Sequence, residues 1–340
     1  MPVITVIVPS FNEAPSIADT VRSLQSQSRA PAHIIVVDDC STDGTGDIAR
    51  ACGVTVVRPP VNTGSKAGAQ TFGLSFVTTE FVVAVDADTT LASDALDCLL
   101  RCFDSRTVAA ACGFVLPRQV QSIWERGRYI EYLFAFGFYK QVQDFYGHPL
   151  IASGCFSMYR TDILKQCGGW SARTLAEDID LTWTFYQRGH GVRFEPAALA
   201  YPLEPETYKY LHAQLQRWSH GFVQNVRLHW RGVLGVSFLR SAVGVALWDA
   251  TVASVAFLLV LPVLAIALGQ FWPLLGYIID APAILVPVVL TASRRGETLK
   301  AIASLPAFFV LRTVNAVFFV GALWRELVVH RPLLTYEKGH

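Results

Sequence analysis

No CxxC pair occurs in this sequence, and its seven cysteines all precede Lys209. An odd count without metal-type spacing fits buried thiols in a reducing compartment better than a disulfide framework. A charge excess of either sign is missing too. Twenty-eight Lys and Arg stand against 27 Asp and Glu, a formal net of +1. So balanced a chain carries no electrostatic footprint for nucleic acid, and none is expected as a partner. The common nucleotide fingerprints are absent as well: no GxGxxG follows the first apolar run, and "NTGSKAGAQ" (62–70) lacks Walker A spacing. That stretch still resembles a turn feeding a helix N-terminus, a place where phosphate can bind. "MPVITVIVPSFNE" is too short in its apolar run for a signal peptide and has no basic flank. It reads as a first strand, which places the N-terminal part in the cytosol. Acids thin out along the chain: beyond Trp230 only Asp249, Asp280, Glu297, Glu326 and Glu337 occur.

Apolar residues are what the chain has in excess, 52% of the total. In the N-terminal part they form β-branched runs of strand length, at 4–10, 33–39, 54–60 and 81–88. Helical patterns over 14–28, 44–52 and 66–77 alternate with them. This alternation predicts an α/β fold with an open, mostly parallel sheet. Ligands in such sheets sit outside the carboxyl ends of the strands. Those ends carry Asn12 and Glu13, then Asp38 and Asp39, then Asp86 and Asp88.

"VVAVDADTT" (82–90) runs valines straight into two aspartates. Carboxylates are costly to bury unpaired, so a positive partner is expected: a basic side chain, a helix N-terminus or a metal ion. The D-x-D spacing puts Asp86 and Asp88 on one side of a strand. Two carboxylates so placed can hold Mg²⁺ or Mn²⁺ together with phosphate oxygens. "LAEDIDLTW" (175–183) sets Glu177 and Asp178 just ahead of a helical pattern. "QLQRW" (214–218) puts Gln214, Arg217 and Trp218 on one helix face. Arginine pairs with phosphate oxygens and an indole stacks on a pyranose.

The segment 117–147 mixes aromatic and apolar residues with Arg126, Arg128 and Lys140 at near-helical spacing. It suits an amphipathic helix lying in a bilayer interface, and a core-packing helix is the equal alternative. Apolar blocks at 243–268, 272–290 and 302–323 are each long enough to cross a hydrocarbon core. The basic loop 293–300 and the basic tail 330–340, with Arg331 and Lys338, both belong in the cytosol by the positive-inside rule. Three full crossings cannot satisfy both, so either the third block lies along the interface or re-enters, or the count is off by one. The division expected is a cytosolic catalytic domain over 1–232 with interface helices near 118–146 and 206–230, then a membrane region over 233–329, then the tail.

"PSFNE" (9–13), "VVDDCSTDGT" (36–45), "NTGSKAGAQ", "DAD" (86–88), "SGCFSMYR" (153–160), "AEDIDLTW" (176–183) and "QLQRW" occur in this order over about two-thirds of the chain. In this the sequence resembles the family-2 glycosyltransferases, in particular the membrane-integrated branch with the hyaluronan, chitin, cellulose and poly-N-acetylglucosamine synthases. The resemblance implies a GT-A type fold, a UDP-sugar donor, Mg²⁺ or Mn²⁺, a polysaccharide or lipid acceptor, and contact with membrane lipids at the inner membrane. It implies that Pro9, Phe11, Glu13 and Asp39 line the uridine pocket with Asp38 beside them, and that Lys66 reaches the diphosphate. Asp86 and Asp88 would sit near the donor sugar, Asp88 the stronger metal ligand. Asp178 would be the general base with Glu177 beside it. Gln214 and Arg217 would hold the pyrophosphate, and Trp218, Gly154 and Cys155 would meet the acceptor. Two positions depart from the family's habit: Phe11 stands where an aromatic hydroxyl is usual, and Thr71 where asparagine is common. Transfer of a single sugar to a lipid is the alternative activity, and a nucleotide-binding membrane scaffold or transporter is the reading from another class.

Overall fold

The computed structural model describes residues 2–333, so most of the basic tail expected over 330–340, Lys338 included, lies outside the described residues. The chain forms two compact units, one of residues 1–118 with 143–203, the other of 119–142 with 204 onward. The first unit ends at Leu203, and residues 119–142 of the first segment expected as an interface helix group with the C-terminal helices, as does the second segment, 206–230.

The first unit opens with β1 (Ile4–Ser10), α1 (Ile17–Gln25), β2 (His33–Asp38), α2 (Thr45–Ala51), β3 (Thr55–Val57), α3 (Lys66–Leu74) and β4 (Phe81–Val85). Every residue of β1 and β4 is buried, as both faces of a covered parallel sheet require. Ile4, Val6 and Val8 face one way, into a core shared with Ile17, Val21 and Leu24 of α1. Ile7 and Val37 point to the other face, under Gly73 of α3, where a Cβ would stand 2.7 Å from Val37 Cγ2 and 3.0 Å from Ile7 Cγ2. Only glycine allows that approach.

The expected parallel half is present: β1 pairs in parallel with β2 and β4, and β2 with β3. Beyond it lie β5 (Thr90–Leu91), α4 (Ala95–Leu100), β6 (Val108–Val115), β7 (Phe156–Arg160) and β8 (Gly191–Tyr201), giving one eight-stranded sheet in the order β3-β2-β1-β4-β7-β6-β8-β5. This half is mixed. β7 runs antiparallel to both β4 and β6, β5 is antiparallel to β8, and only β6–β8 is parallel. The reversal has a functional consequence. Val85 at the end of β4 pairs with Phe156 at the start of β7. The backbone N–H of Asp86 then donates to the Cys155 carbonyl at 3.1 Å. Two stretches some 70 residues apart in sequence thus meet at one strand end.

In the second unit α5 (Ile123–Phe134) starts with a full capping box, in which the Ser122 hydroxyl accepts from Glu125 N and the Glu125 carboxylate accepts from Ser122 N. A π-turn over Ala135–Tyr139 leads into α6 (Lys140–Phe145). The first unit contributes α7 (Thr161–Gln166) and α8 (Glu177–Gln187) before the chain returns with the 28-residue α9 (Tyr208–Gly235). Then follow α10 (Ser237–Trp248), two π-turns, α11 (Leu261–Leu268), α12 (Tyr277–Arg294) and α13 (Thr298–Leu323). A Cβ on Gly127 of α5 would stand 2.9 Å from Leu311 Cβ and 3.0 Å from the Ala307 carbonyl of α13, so these helices cross at backbone contact.

Among the described residues, two helices are long and apolar enough to cross a membrane, Phe238–Leu268 and Thr298–Val328. They cover the first and third of the expected apolar blocks. The middle block is split between a 3-10 turn at Trp272–Gly276 and α12, which carries Pro282 and Pro287 inside it.

Candidate active site

The carboxyl ends of β1 and β2 are held by carboxylates that accept backbone N–H groups. Asn12 and Cys40, which follow these strands, adopt left-handed backbone (φ 56° and 65°), costly for residues other than glycine and frequent at functional turns. Asp39 takes Thr63 N and Thr63 Oγ1, both at 2.8 Å, and its carbonyl accepts from Asn62 Nδ2 at 2.7 Å. The glycine-bearing turn ahead of α3 is thereby tied to the end of β2. Asp38, almost fully buried, accepts from Arg58 Nη1 at 2.8 Å and from Ser41 N at 2.9 Å. Glu13 is buried beside Ser16, whose hydroxyl donates to it at 3.0 Å. Burial works against the charge of Asp43, but hydrogen bonds from the Thr45 hydroxyl and from the Ala14 and Thr45 N–H groups outweigh it and hold its pKa below the usual carboxylate value. Pro9 is buried within β1, and the Phe11 ring is 41% exposed at the strand end.

A second cluster gathers at the end of β4. Lys66, the first residue of α3, forms an ion pair with Asp86, lies 3.6 Å from Glu177 Oε1, and donates to the Gly154 carbonyl at 3.1 Å. The N–H of the same Gly154 donates to Asp178 Oδ2 at 3.0 Å, while Asp178 Oδ1 accepts from Ile179 N at 2.9 Å. The positive partner that meets Asp86 at this strand end is a basic side chain, Lys66. Glu177 and Asp178 lie inside the first turn of α8 rather than ahead of it, where the helix dipole favours their charge. The third acid of that turn, Asp180, is occupied by a two-pronged pair with Arg173 at 2.8 and 2.6 Å. Asp178 is thus aimed by two backbone N–H groups and stands next to a lysine already paired with Asp86.

No group of three His, Cys, Asp or Glu side chains converges as a metal site among the described residues. Asp86 pairs with Lys66, and Asp88 is buried with its Oδ1 accepting from Thr89 Oγ1 at 3.1 Å. A single protein carboxylate completed by phosphate oxygens is a donor set that Mg²⁺ and Mn²⁺ accept, so the residues present fit such an ion.

Gln214, Arg217 and Trp218 all lie on α9, in the second unit. Two of them share a neighbour that the sequence presents only as one of the cations of segment 117–147. Arg128 of α5, fully buried, donates from Nη2 to Gln214 Oε1 at 2.9 Å, and its guanidinium carbon sits 4.5 Å from the centre of the Trp218 ring. Burial disfavours its charge, but the Glu131, Tyr132 and Glu204 side chains more than compensate, and its pKa is raised. Trp218 remains 37% exposed. Read along α5, Arg128 looked like one more cation on an amphipathic face. The only signal for its burial was its place between Gly127 and Tyr129, within the stretch that packs on α13. Arg58 and Thr63, which hold Asp38 and Asp39, were missed for a similar reason, since their partners lie 20 and 24 residues away.

Residues 5–168 match the family model described as glycosyl transferase family 2. Among curated proteins, the poly-beta-1,6-N-acetyl-D-glucosamine synthase of Staphylococcus epidermidis is 30% identical over 223 residues, 64% of this chain and 54% of that protein. The synthase of the same name from Staphylococcus aureus is 29% identical over the same span. The chain spans about half the length of these relatives. Among solved structures, the mannosyltransferase PcManGT of Pyrobaculum calidifontis, in complex with GDP-Man and Mn²⁺, superimposes with a TM-score of 0.64 at 20% identity, over 96% of this chain and 88% of that one. At that identity the likeness shows the fold, which is of GT-A type.

Proposed function

We propose that this chain, which carries a glycosyl transferase family 2 domain over residues 5–168, transfers a sugar from a UDP-sugar to a β-linked polysaccharide at a membrane, with inversion at the anomeric carbon. One observation carries the reading: both backbone polar groups of Gly154 are used, its N–H by Asp178 and its carbonyl by Lys66, so that a carboxylate base and a cation are fixed side by side at a strand end. Likeness to the staphylococcal synthases supports UDP-N-acetylglucosamine as the donor.

The residues then take these parts. Phe11 stacks on the uracil, and Asp39, with the turn it holds, lines the uridine pocket with Pro9 and Glu13. Asp38 acts through Arg58 and the loop that it anchors. Asp178 takes the proton of the acceptor hydroxyl as that oxygen attacks, a contribution of roughly 10²–10⁴ in rate for a positioned general base. Glu177 balances Lys66, and Lys66 faces the negative charge that builds on the departing diphosphate. Gln214 and Arg217 hold the pyrophosphate, while Trp218, Gly154 and Cys155 border the acceptor. Asp88 would hold a divalent cation, Mg²⁺ or Mn²⁺, which supplies Lewis-acid stabilisation of the leaving UDP. A single base with in-line displacement converts an α-linked donor into a β-glycoside. The two long apolar helices anchor the chain in the inner membrane with the first unit in the cytosol.

The test is UDP release in detergent from a panel of UDP-sugars, with GDP-mannose as the competing donor. Release from UDP-N-acetylglucosamine is expected. Turnover of GDP-mannose alone would overturn the donor assignment. Sizing the product then separates a ladder of oligomers, expected of a polymerase, from the single added sugar of a lipid glycosyltransferase.

A further inference from the structure

We infer that Arg128 is a positioning residue for the motif at 214–218: it fixes which end of the Gln214 amide faces outward and holds the Trp218 ring in place. The inference rests on the role proposed above for that motif and extends it to a residue on another helix.

A guanidinium has only donors, five N–H groups in a planar fork. With Arg128 Nη2 2.9 Å from the Gln214 side chain, the amide must turn its oxygen towards Arg128. The Gln214 NH₂ group is then directed away as a pair of donors, the polarity an anionic diphosphate oxygen requires. Without that constraint the two amide orientations are nearly equal in shape, and half of the encounters would present a carbonyl oxygen to the phosphate.

The same guanidinium stacks 4.5 Å from the Trp218 ring centre, so one side chain sets two members of the motif. Arg128 is itself held from two further sides. Nη1 donates to Glu131 Oε2 at 2.5 Å, and Nε lies 3.7 Å from Glu204 Oε2. The other Glu131 oxygen accepts from Asn315 Nδ2 of α13 at 3.2 Å, and Glu204 Oε1 accepts from the Tyr132 hydroxyl at 2.7 Å. Helix α13 belongs to one of the two long apolar segments. A chain of polar contacts therefore runs from that segment, through Glu131 and Arg128, to the motif on α9.

The experiment uses the full chain in detergent with UDP-N-acetylglucosamine as donor and UDP as inhibitor. Arg128→Lys keeps a cation for Glu131 and Glu204 but cannot also present a planar fork to Gln214 and a flat face to Trp218. It is expected to raise the donor KM and the UDP inhibition constant at least fivefold and to lower kcat. Glu131→Gln, at a side chain 31% exposed, loosens the clamp without burying a new group and is expected to raise the same KM at least twofold. A merely structural role would reduce the active fraction, lowering apparent kcat while the donor KM and UDP inhibition constant stayed at their wild-type values. That result in Arg128→Lys overturns the inference, as does the same result in Glu131→Gln should Arg128→Lys not fold. An active wild type with wild-type constants in the variants sinks the positioning role alone. A wild type that releases no UDP from any donor sinks the functional reading and the positioning role with it.

Discussion

Replacing Gly154 by alanine adds one methyl group at the point where base and cation are held together. Gly154 does not sit in left-handed backbone, so the substitution tests space and not chain geometry. The new Cβ would stand 3.1 Å from Asp178 Oδ2 and 3.2 Å from Lys66 Nζ. Comfortable separations for such atoms are about 3.5–4.0 Å, so each group must retreat by roughly 0.4 Å. Lys66 has little freedom, because it is pinned by Asp86 and by the carbonyl of Gly154 itself. Asp178 then yields, stretching its 3.0 Å hydrogen bond from Gly154 N. A hydrogen bond to a charged group is worth about 1.5–3 kcal/mol, and losing half of it costs about 3- to 12-fold at about 1.4 kcal/mol per decade. Misplacing a reacting group by about 1 Å costs on the order of 10²-fold, which brackets the same figure from above. Gly154→Ala should therefore lower kcat for UDP release by about 3- to 30-fold, with UDP affinity by calorimetry and the melting temperature close to wild type. A kcat within twofold of wild type would refute the idea that Gly154 sets the position of the base.

Asp88→Ala is expected to abolish the gain in UDP affinity that Mn²⁺ provides, read by titration calorimetry with and without the ion. An unchanged gain would remove Asp88 from the metal site. Trp218→Ala should slow transfer to acceptor by about 2- to 12-fold, the equivalent of ~0.5–1.5 kcal/mol of lost stacking, while UDP affinity stays within twofold. Loss of UDP affinity in the folded variant would move Trp218 to the donor side. Burial, reinforced by the nearby Glu195 carboxylate, pushes the Cys102 thiol up to about 12. At pH 8 the folded protein should leave Cys102 unmodified by iodoacetamide while guanidinium-unfolded protein is labelled, and mass spectrometry of the peptide checks this. Labelling of the native protein would show that Cys102 is accessible and ionised.

The parallel half of the sheet was legible because β1, β2 and β4 are runs of Val and Ile buried on both faces, with turn residues between them. β6 escaped notice since "VAAACGFV" is rich in alanine and lacks the β-branched signature. β8 carries Pro196 in its span, and its pairing with β6 shifts register between Gly113 and Phe114. β7 could be seen as a motif but not as a strand, and nothing local reveals that it runs antiparallel to β4. The ingredients at Lys66, Asp86, Gly154 and Asp178 were visible as spaced residue types. What bound them together was not: a glycine whose two backbone groups serve a base and a cation is a product of strand pairing. Arg128 was hidden by the same locality, because the glutamine and indole that define its role lie 86 and 90 positions further along the chain.

Asp178 is the residue on which the proposed chemistry depends most directly. Asp178→Asn preserves the size of the side chain and its acceptor oxygen but cannot take a proton, so measuring UDP affinity and UDP-release rate in this one variant separates binding from base catalysis. The prediction is wild-type UDP affinity with kcat reduced by about 10²–10⁴. Near-normal turnover in Asp178→Asn would contradict it.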